Sequence, residues 1–237
     1  MRDHVAGFDP DALGFIVVNR RPDGKLYVID GQHRVELMRA VGWGDQKIHA
    51  EIFDGLSKSE EAEIFLDRND RKAVRPFDKF RQSVNAGHEQ QCSIVEIVKN
   101  HGLTISDNSS DGSISAVSAL EKIYGGGGIT GPEEGAPALA RTLSCIKAAW
   151  GKNAAAFSGQ ILVGMGMVQL RYNGAIDQKA MAQKLAPFKG GAPGLIGTAK
   201  ALKELRGRPL PHCVAEIIVD AYNKGRRVGK LESWETE

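Results

Sequence analysis

The sequence predicts an α+β protein: a small α/β domain first, a helix-turn-helix-like pair after it, and an all-α C-terminal half. Three observations carry this. Runs rich in β-branched and aromatic residues end at Phe53, apolar residues at helical spacing take over afterwards, and Gly125–Gly128 with Thr130-Gly131-Pro132 forms a flexible, then stiff, linker. The domains expected are 1–75, 76–128 and 129–237.

The elements follow in order. Phe15-Ile16-Val17-Val18-Asn19 reads as a strand, Arg21-Pro22-Asp23-Gly24 supplies turn chemistry, and Lys25 to Ile29 extends again, so a β-hairpin is expected. Val35, Leu37, Met38 and Val41 give the next segment a helical face that Gly42 stops. A third strand covers Ile48 to Phe53. Ser57-Lys58-Ser59-Glu60 has the spacing of a capping box and opens a helix to about Leu66. After Pro76 a helix runs to Ala86 and closes at Gly87. Helical spacing recurs at 93–101 and 114–124, joined by a turn at 106–113, and then near 137–150, 158–172, 177–186, 193–205 and 211–223.

A chain of 237 residues with 42% hydrophobic and 25% charged residues has the composition of a globular protein. Its 31 basic and 29 acidic side chains nearly cancel, so total charge gives no argument for nucleic acid or an anionic membrane as partner. Cys92, Cys145 and Cys213 are too scattered for a disulfide framework or a CxxC-type metal site and read as buried small hydrophobes in a reducing compartment. No signal-like stretch and no apolar run of membrane-spanning length is present, and a soluble cytoplasmic protein is expected. Met165, Met167 and Leu170 read as core packing. The basic patch Tyr222-Asn223-Lys224-Gly225-Arg226-Arg227 with Lys230 reads as a solvated tail.

Chemistry concentrates at Asp30-Gly31-Gln32-His33-Arg34, where a strand passes into a helix. Such a turn presents free amides and the positive end of a helix dipole, an arrangement suited to an anion. Gly31 permits close approach, His33 can move a proton near neutral pH, and Arg34 offers a planar fork for phosphate. A plain strand exit, with Arg34 pairing Glu36 or water, would leave the same residues.

Tyr27-Val28-Ile29-Asp30-Gly31-Gln32-His33-Arg34-Val35-Glu36-Leu37 resembles the signature of the ParB/sulfiredoxin superfamily, in which a Gly-x-x-Arg turn between strand and helix holds nucleotide phosphates. Phe65-Leu66-Asp67-Arg68-Asn69-Asp70-Arg71, ahead of Pro76, is similar to the Glu-Asn-x-x-Arg box of ParB N-terminal domains. The resemblance covers about 14–86, and more loosely the helix pair to about 124; the whole chain looks most like ParB-like proteins of actinobacterial phages. It implies a nucleoside triphosphate, CTP or ATP, with Mg2+: Asn69 with Arg71 or Lys72 would join Arg34 around the phosphates, and Gln32 or Asn69 would lie near the metal. The pattern departs in three places. Gln32 stands where sulfiredoxin needs its cysteine, which removes that chemistry. ParB proteins have Glu and Arg where Gln32 and His33 stand. Their Gly-x-x-x-Pro-Ile segment has no counterpart in Phe8-Asp9-Pro10 to Gly14.

The basic stretch containing Arg75, Lys79 and Arg81 suits phosphates, each neutralised phosphate steepening salt dependence by about 0.9 in the log-log slope, or else forms a solvated face. The pair at 93–101 and 114–124 occupies the position of the ParB helix-turn-helix. Its second helix would expose Ser113, Ser115, Ser118, Glu121 and Lys122 to DNA; a plain helical hairpin explains the spacing as well. Three functions remain open. The first is a DNA-binding regulator or partition-like protein with a nucleotide-binding first domain. The second is a nucleotide hydrolase, or a nuclease, using His33 as acid or base. The third is a phage-type interaction module for a host protein. DNA, a host factor and a second copy of the chain are the partners these imply.

Overall fold

The hairpin forms because the continuous β-branched run from Ile16, the buried central strand, needs a partner and Arg21–Lys25 turns the chain back, with Gly24 at φ +75°. In the computed structural model, which describes residues 14–69 and 75–234, β1 (Ile16–Arg20) pairs antiparallel with β2 (Leu26–Asp30) and parallel with β3 (Ala50–Asp54). The order is β2-β1-β3, so β1 is central, and Ile16, Val17, Val18 and Asn19 are all buried. A bulge between Val17 and Val18 sets Val17 opposite Asp30, at the edge of the predicted turn.

Between β2 and β3 runs α1 (Gln32–Ala40), which buries only Met38 of its expected apolar face. The capping box expected at Ser57 is present: the Ser57 amide donates to Glu60 Oε2 at 2.8 Å and the Glu60 amide to Ser57 Oγ at 3.3 Å. It opens α2 (Lys58–Asn69). Then α3 (Pro76–Ala86) begins with Pro at N1 and ends at Gly87 with φ +83°. Helix α3 packs on α2, and this first compact unit closes at His88.

The second unit starts at Glu89 and contains α4 (Glu89–Asn100), α5 (Val117–Tyr124), α6 (Gly135–Trp150), α7 (Gly159–Arg171), α8 (Gln178–Leu185), α9 (Gly191–Arg206) and α10 (Leu210–Asn223). Its centre is α7, buried from Ile161 to Leu170 except Val163 and packed against α5, α6 and α10. Met165, Met167 and Leu170 lie in that core as expected. Gly164 and Gly166 let the neighbours approach: a Cβ on them would stand 2.4 Å from Val214 Cγ1 and 2.5 Å from Ile123 Cγ1.

Several expectations change. The connection between α4 and α5 is no simple turn, since it carries a short parallel strand pair, β4 (Thr104–Ile105) and β5 (Ser113–Ile114), which takes Ile114 out of the helix. Cys92 is exposed, because α4 turns Ile94 and Val98 inward instead; Cys145 and Cys213 are buried. The C-terminal patch keeps Lys224, Arg227 and Lys230 in solvent as expected, but the segment that carries it is anchored and is no loose tail. Leu231 and Trp234 are buried, Tyr172 Oη donates to the Glu232 carbonyl at 2.6 Å, Asn223 exchanges two hydrogen bonds with Leu231, and Arg226 stacks on Tyr222. The Gly125–Gly128 run lies inside the second unit, where Gly126 is buried. A Cβ there would meet the Thr130 carbonyl oxygen at 2.3 Å, so these glycines serve close packing.

Candidate functional site

The strand-to-helix turn opens onto a cleft of about 1080 Å³, built wholly from the first unit. One wall is the end of β2 with the turn Asp30–Arg34; a second is the α2 face of Lys58, Glu61, Ala62 and Phe65; the third is the α3 face of Asp78, Arg81, Gln82 and Asn85, with Arg75 at its start. On each helix these positions recur three or four residues apart, the spacing of a single face.

Gly31 sits at the N-cap of α1 with φ +95°, and no side chain caps the helix. The amides of Arg34 and Val35 both turn back onto the Gly31 carbonyl, so the first amides of the helix, at Gln32 and His33, have no acceptor within it. A Cβ on Gly31 would lie 2.6 Å from Ile16 Cγ2, so glycine is needed both for the backbone angle and for contact with β1. Arg34 lines the cleft half-buried, and its Nη1 donates to the carbonyl of Phe15. Only one of its five donors is used in this bond.

The other predicted residues are distributed as follows. The His33 side chain is fully exposed, with Nδ1 3.5 Å from Glu36 Oε2. Gln32 is exposed and reaches the Val28 carbonyl at 3.5 Å. Asp30 is half-buried on the cleft wall. Arg71, Lys72 and Phe8 to Pro10 lie outside the described residues, as does the side chain of Asn69. Arg75 and Arg81 are exposed on the α3 wall and share Asp78: Arg75 Nε stands 2.8 Å from Oδ2, and Arg81 Nη2 3.4 Å from Oδ1. Hydrogen bonds from Arg75 hold the Asp78 carboxyl below the usual aspartate range. Lys79 is exposed and does not line the cleft.

Spacing alone misses a polar network that ties the hairpin to the α2 wall. Asn19 is fully buried; its Nδ2 donates to the Leu56 carbonyl at 2.9 Å and to Glu61 Oε1 at 2.7 Å, and its Oδ1 accepts from the Leu56 amide at 3.1 Å. Arg21 closes a two-pronged pair on Glu61, 2.8 Å through Nε and 2.5 Å through Nη2, with its guanidinium 3.8 Å from the Tyr27 ring centroid. The Arg21 bonds, followed by that from Asn19, hold the Glu61 carboxyl below its ordinary range against desolvation. The cleft thus carries five cations against three carboxylates, with Arg21, Arg75 and Arg81 already facing carboxylates.

In the second unit, Ser115, Ser118 and Lys122 are exposed, whereas Ser113 is buried with its hydroxyl donating to Asn108 and Ser110 carbonyls, and Glu121 is half-buried and bonded to Gln91. The opposite side of α5, at Val117, Ala119, Leu120 and Ile123, is core. A smaller cavity of about 410 Å³ between α6 and α8 includes Cys145, whose thiol burial pushes up to about 12, so it supplies no thiolate. Among the described residues no group of three or more His, Cys, Asp or Glu is placed to hold a metal ion, and no helix is long and apolar enough to cross a membrane.

Fold and cleft together define an α+β protein with a cationic hollow at a strand–helix turn. The chain belongs to DUF6551, a family of unknown function, whose family model matches residues 15–228. No curated protein matches the chain, and no solved structure matches it.

Proposed function

We propose that the first unit binds a nucleoside triphosphate in the cleft at Asp30–Arg34, and that the chain is a DNA-associated regulatory or partition-like protein of ParB-like organisation. The observation that supports this reading is an open hollow lined by Arg34 and by a helix start whose amides at Gln32 and His33 are uncapped. The residues fit a phosphate chain. Magnesium would arrive with the triphosphate, neutralising part of its charge, with Asp30 and Gln32 at the turn able to face it and Asn69 added by the ParB likeness.

The reading is one of binding. The imidazole at the turn, His33, points into solvent beside Glu36, which gives it no orienting contact toward a phosphate. For DNA, the exposed Ser115, Ser118 and Lys122 offer two hydroxyls and one cation on the side of α5 away from its core.

Titrating the chain with CTP, ATP, GTP and UTP in millimolar magnesium tests the proposal. At least one should bind, and Arg34→Lys, which keeps the charge and loses the fork, should weaken it roughly tenfold to a hundredfold, the worth of a charge-assisted hydrogen bond. Absence of binding by all four, or equal binding by Arg34→Lys, refutes the nucleotide reading.

A further inference from the structure

We infer that Gln82 and Asn85 select the base of the bound nucleotide, at the end of the cleft remote from the phosphate turn; the inference rests on the nucleotide-binding reading above. Contacts on the page order the two ends. Gly31 packs against Ile16, Arg34 donates to the Phe15 carbonyl, and the Phe15 ring lies 5.9 Å from the guanidinium of Arg68, in the last turn of α2. The turn therefore stands beside the C-terminal end of α2. At the other end Ser59 Oγ donates to the Ala86 carbonyl at 2.9 Å, and His88 Nε2 stands 2.8 Å from Glu63 Oε1, so the start of α2 meets the end of α3. Helix α3 accordingly runs from the turn end, at Asp78, to the far end, at Asn85.

Seven residues at 1.5 Å each make that run about 10 Å, the scale of the reach from a terminal phosphate across a ribose to a base edge. Along it the chemistry changes. The turn end offers amides and guanidinium groups. At the far end Arg21 is committed to Glu61, Lys58 stands at the first residue of α2 as the remaining cation, and Gln82 and Asn85 present primary amides, with Asn85 Nδ2 3.4 Å from Gln82 Oε1. A primary amide offers a donor beside an acceptor, a pair that a base edge can match in full, whereas a phosphate oxygen can use only the donor. Between the ends lie Ile29 and Ala62, both buried, an apolar floor suited to the uncharged middle of the ligand.

Calorimetric titration of the full chain with the four ribonucleoside triphosphates and with inorganic tripolyphosphate, in magnesium buffer, tests this. The preferred nucleotide should bind the wild-type chain at least tenfold more tightly than tripolyphosphate. In the double variant Gln82→Ala, Asn85→Ala, all four nucleotides should fall to one shared affinity, a loss of roughly tenfold to a hundredfold for the preferred base, while tripolyphosphate binding stays unchanged. Wild-type affinity for tripolyphosphate equal to that for every nucleotide overturns the base subsite and leaves the phosphate site standing. So does a double variant that keeps the wild-type ranking. A wild-type chain that binds neither nucleotides nor tripolyphosphate overturns both.

Discussion

Gly31→Ala tests whether the turn is held as tightly as its surroundings imply. Two costs add. A methyl group at φ +95° carries the left-handed penalty of an L-residue, about 1–2 kcal/mol. The same methyl would sit 2.6 Å from Ile16 Cγ2 and 3.1 Å from Ile16 Cβ, on the central strand, and overpacking of this kind costs about 1–3 kcal/mol. The sum is about 2–5 kcal/mol, located in the first unit. Gly24→Ala separates the two, because Gly24 has φ +75° and no atom within 4 Å of an added Cβ; it should cost only the backbone part, about 1–2 kcal/mol. Amide hydrogen exchange of paired residues in β1 and β2 is the suitable assay, since it reads the opening of this unit without relying on whole-chain unfolding. At tenfold per 1.4 kcal/mol, Gly31→Ala should speed exchange between about thirtyfold and a few thousandfold, well beyond Gly24→Ala. Equal acceleration by the two variants would refute the claim that the turn is wedged against β1.

Two further outcomes are expected. Glu61 has its carboxyl pKa depressed by Arg21 and Asn19, so its stabilising effect is complete above the ordinary glutamate value of 4.5 and is lost as pH falls through the lower folded value; in Glu61→Gln the acid limb of hairpin protection, followed by NMR, should flatten. Gly164→Ala would press a methyl to 2.4 Å from Val214 Cγ1 and 3.0 Å from the Pro211 carbonyl oxygen and should lower stability by about 1–3 kcal/mol, whereas Gly197→Ala in α9, with open space around it, should raise it by about 0.5–1 kcal/mol; thermal unfolding of the pair checks the contrast.

Much of the architecture was readable because its signals are local. The hairpin follows from β-branched and aromatic runs either side of turn residues, the start of α2 from a four-residue capping box, and the C-terminal helices from apolar spacing that burial of α7 and α10 repeats. The turn at Gly31 was legible for the same reason. The rest of the cleft was not, since its walls meet only in three dimensions. Asn19 looks like an outward strand residue, yet it is fully buried because Leu56 and Glu61, 37 and 42 residues away, satisfy its amide. Gln82 and Asn85 belong to a stretch whose charges draw attention to Arg75, Lys79 and Arg81. The strand pair β4–β5 is two residues long on each side, too short for any periodicity to register.

The carboxylates of Glu61 and Asp78 do more than balance charge. Each is tethered beside guanidinium groups, so an incoming anion meets a rival that surrenders no translational freedom and is present at high effective concentration. A lone chloride or acetate, offering one contact, loses that contest. On the proposed nucleotide-binding reading, a chain of linked phosphates, able to engage the helix amides and several forks in concert, would win it, and the resident acids would act as a filter for polyvalent ligands.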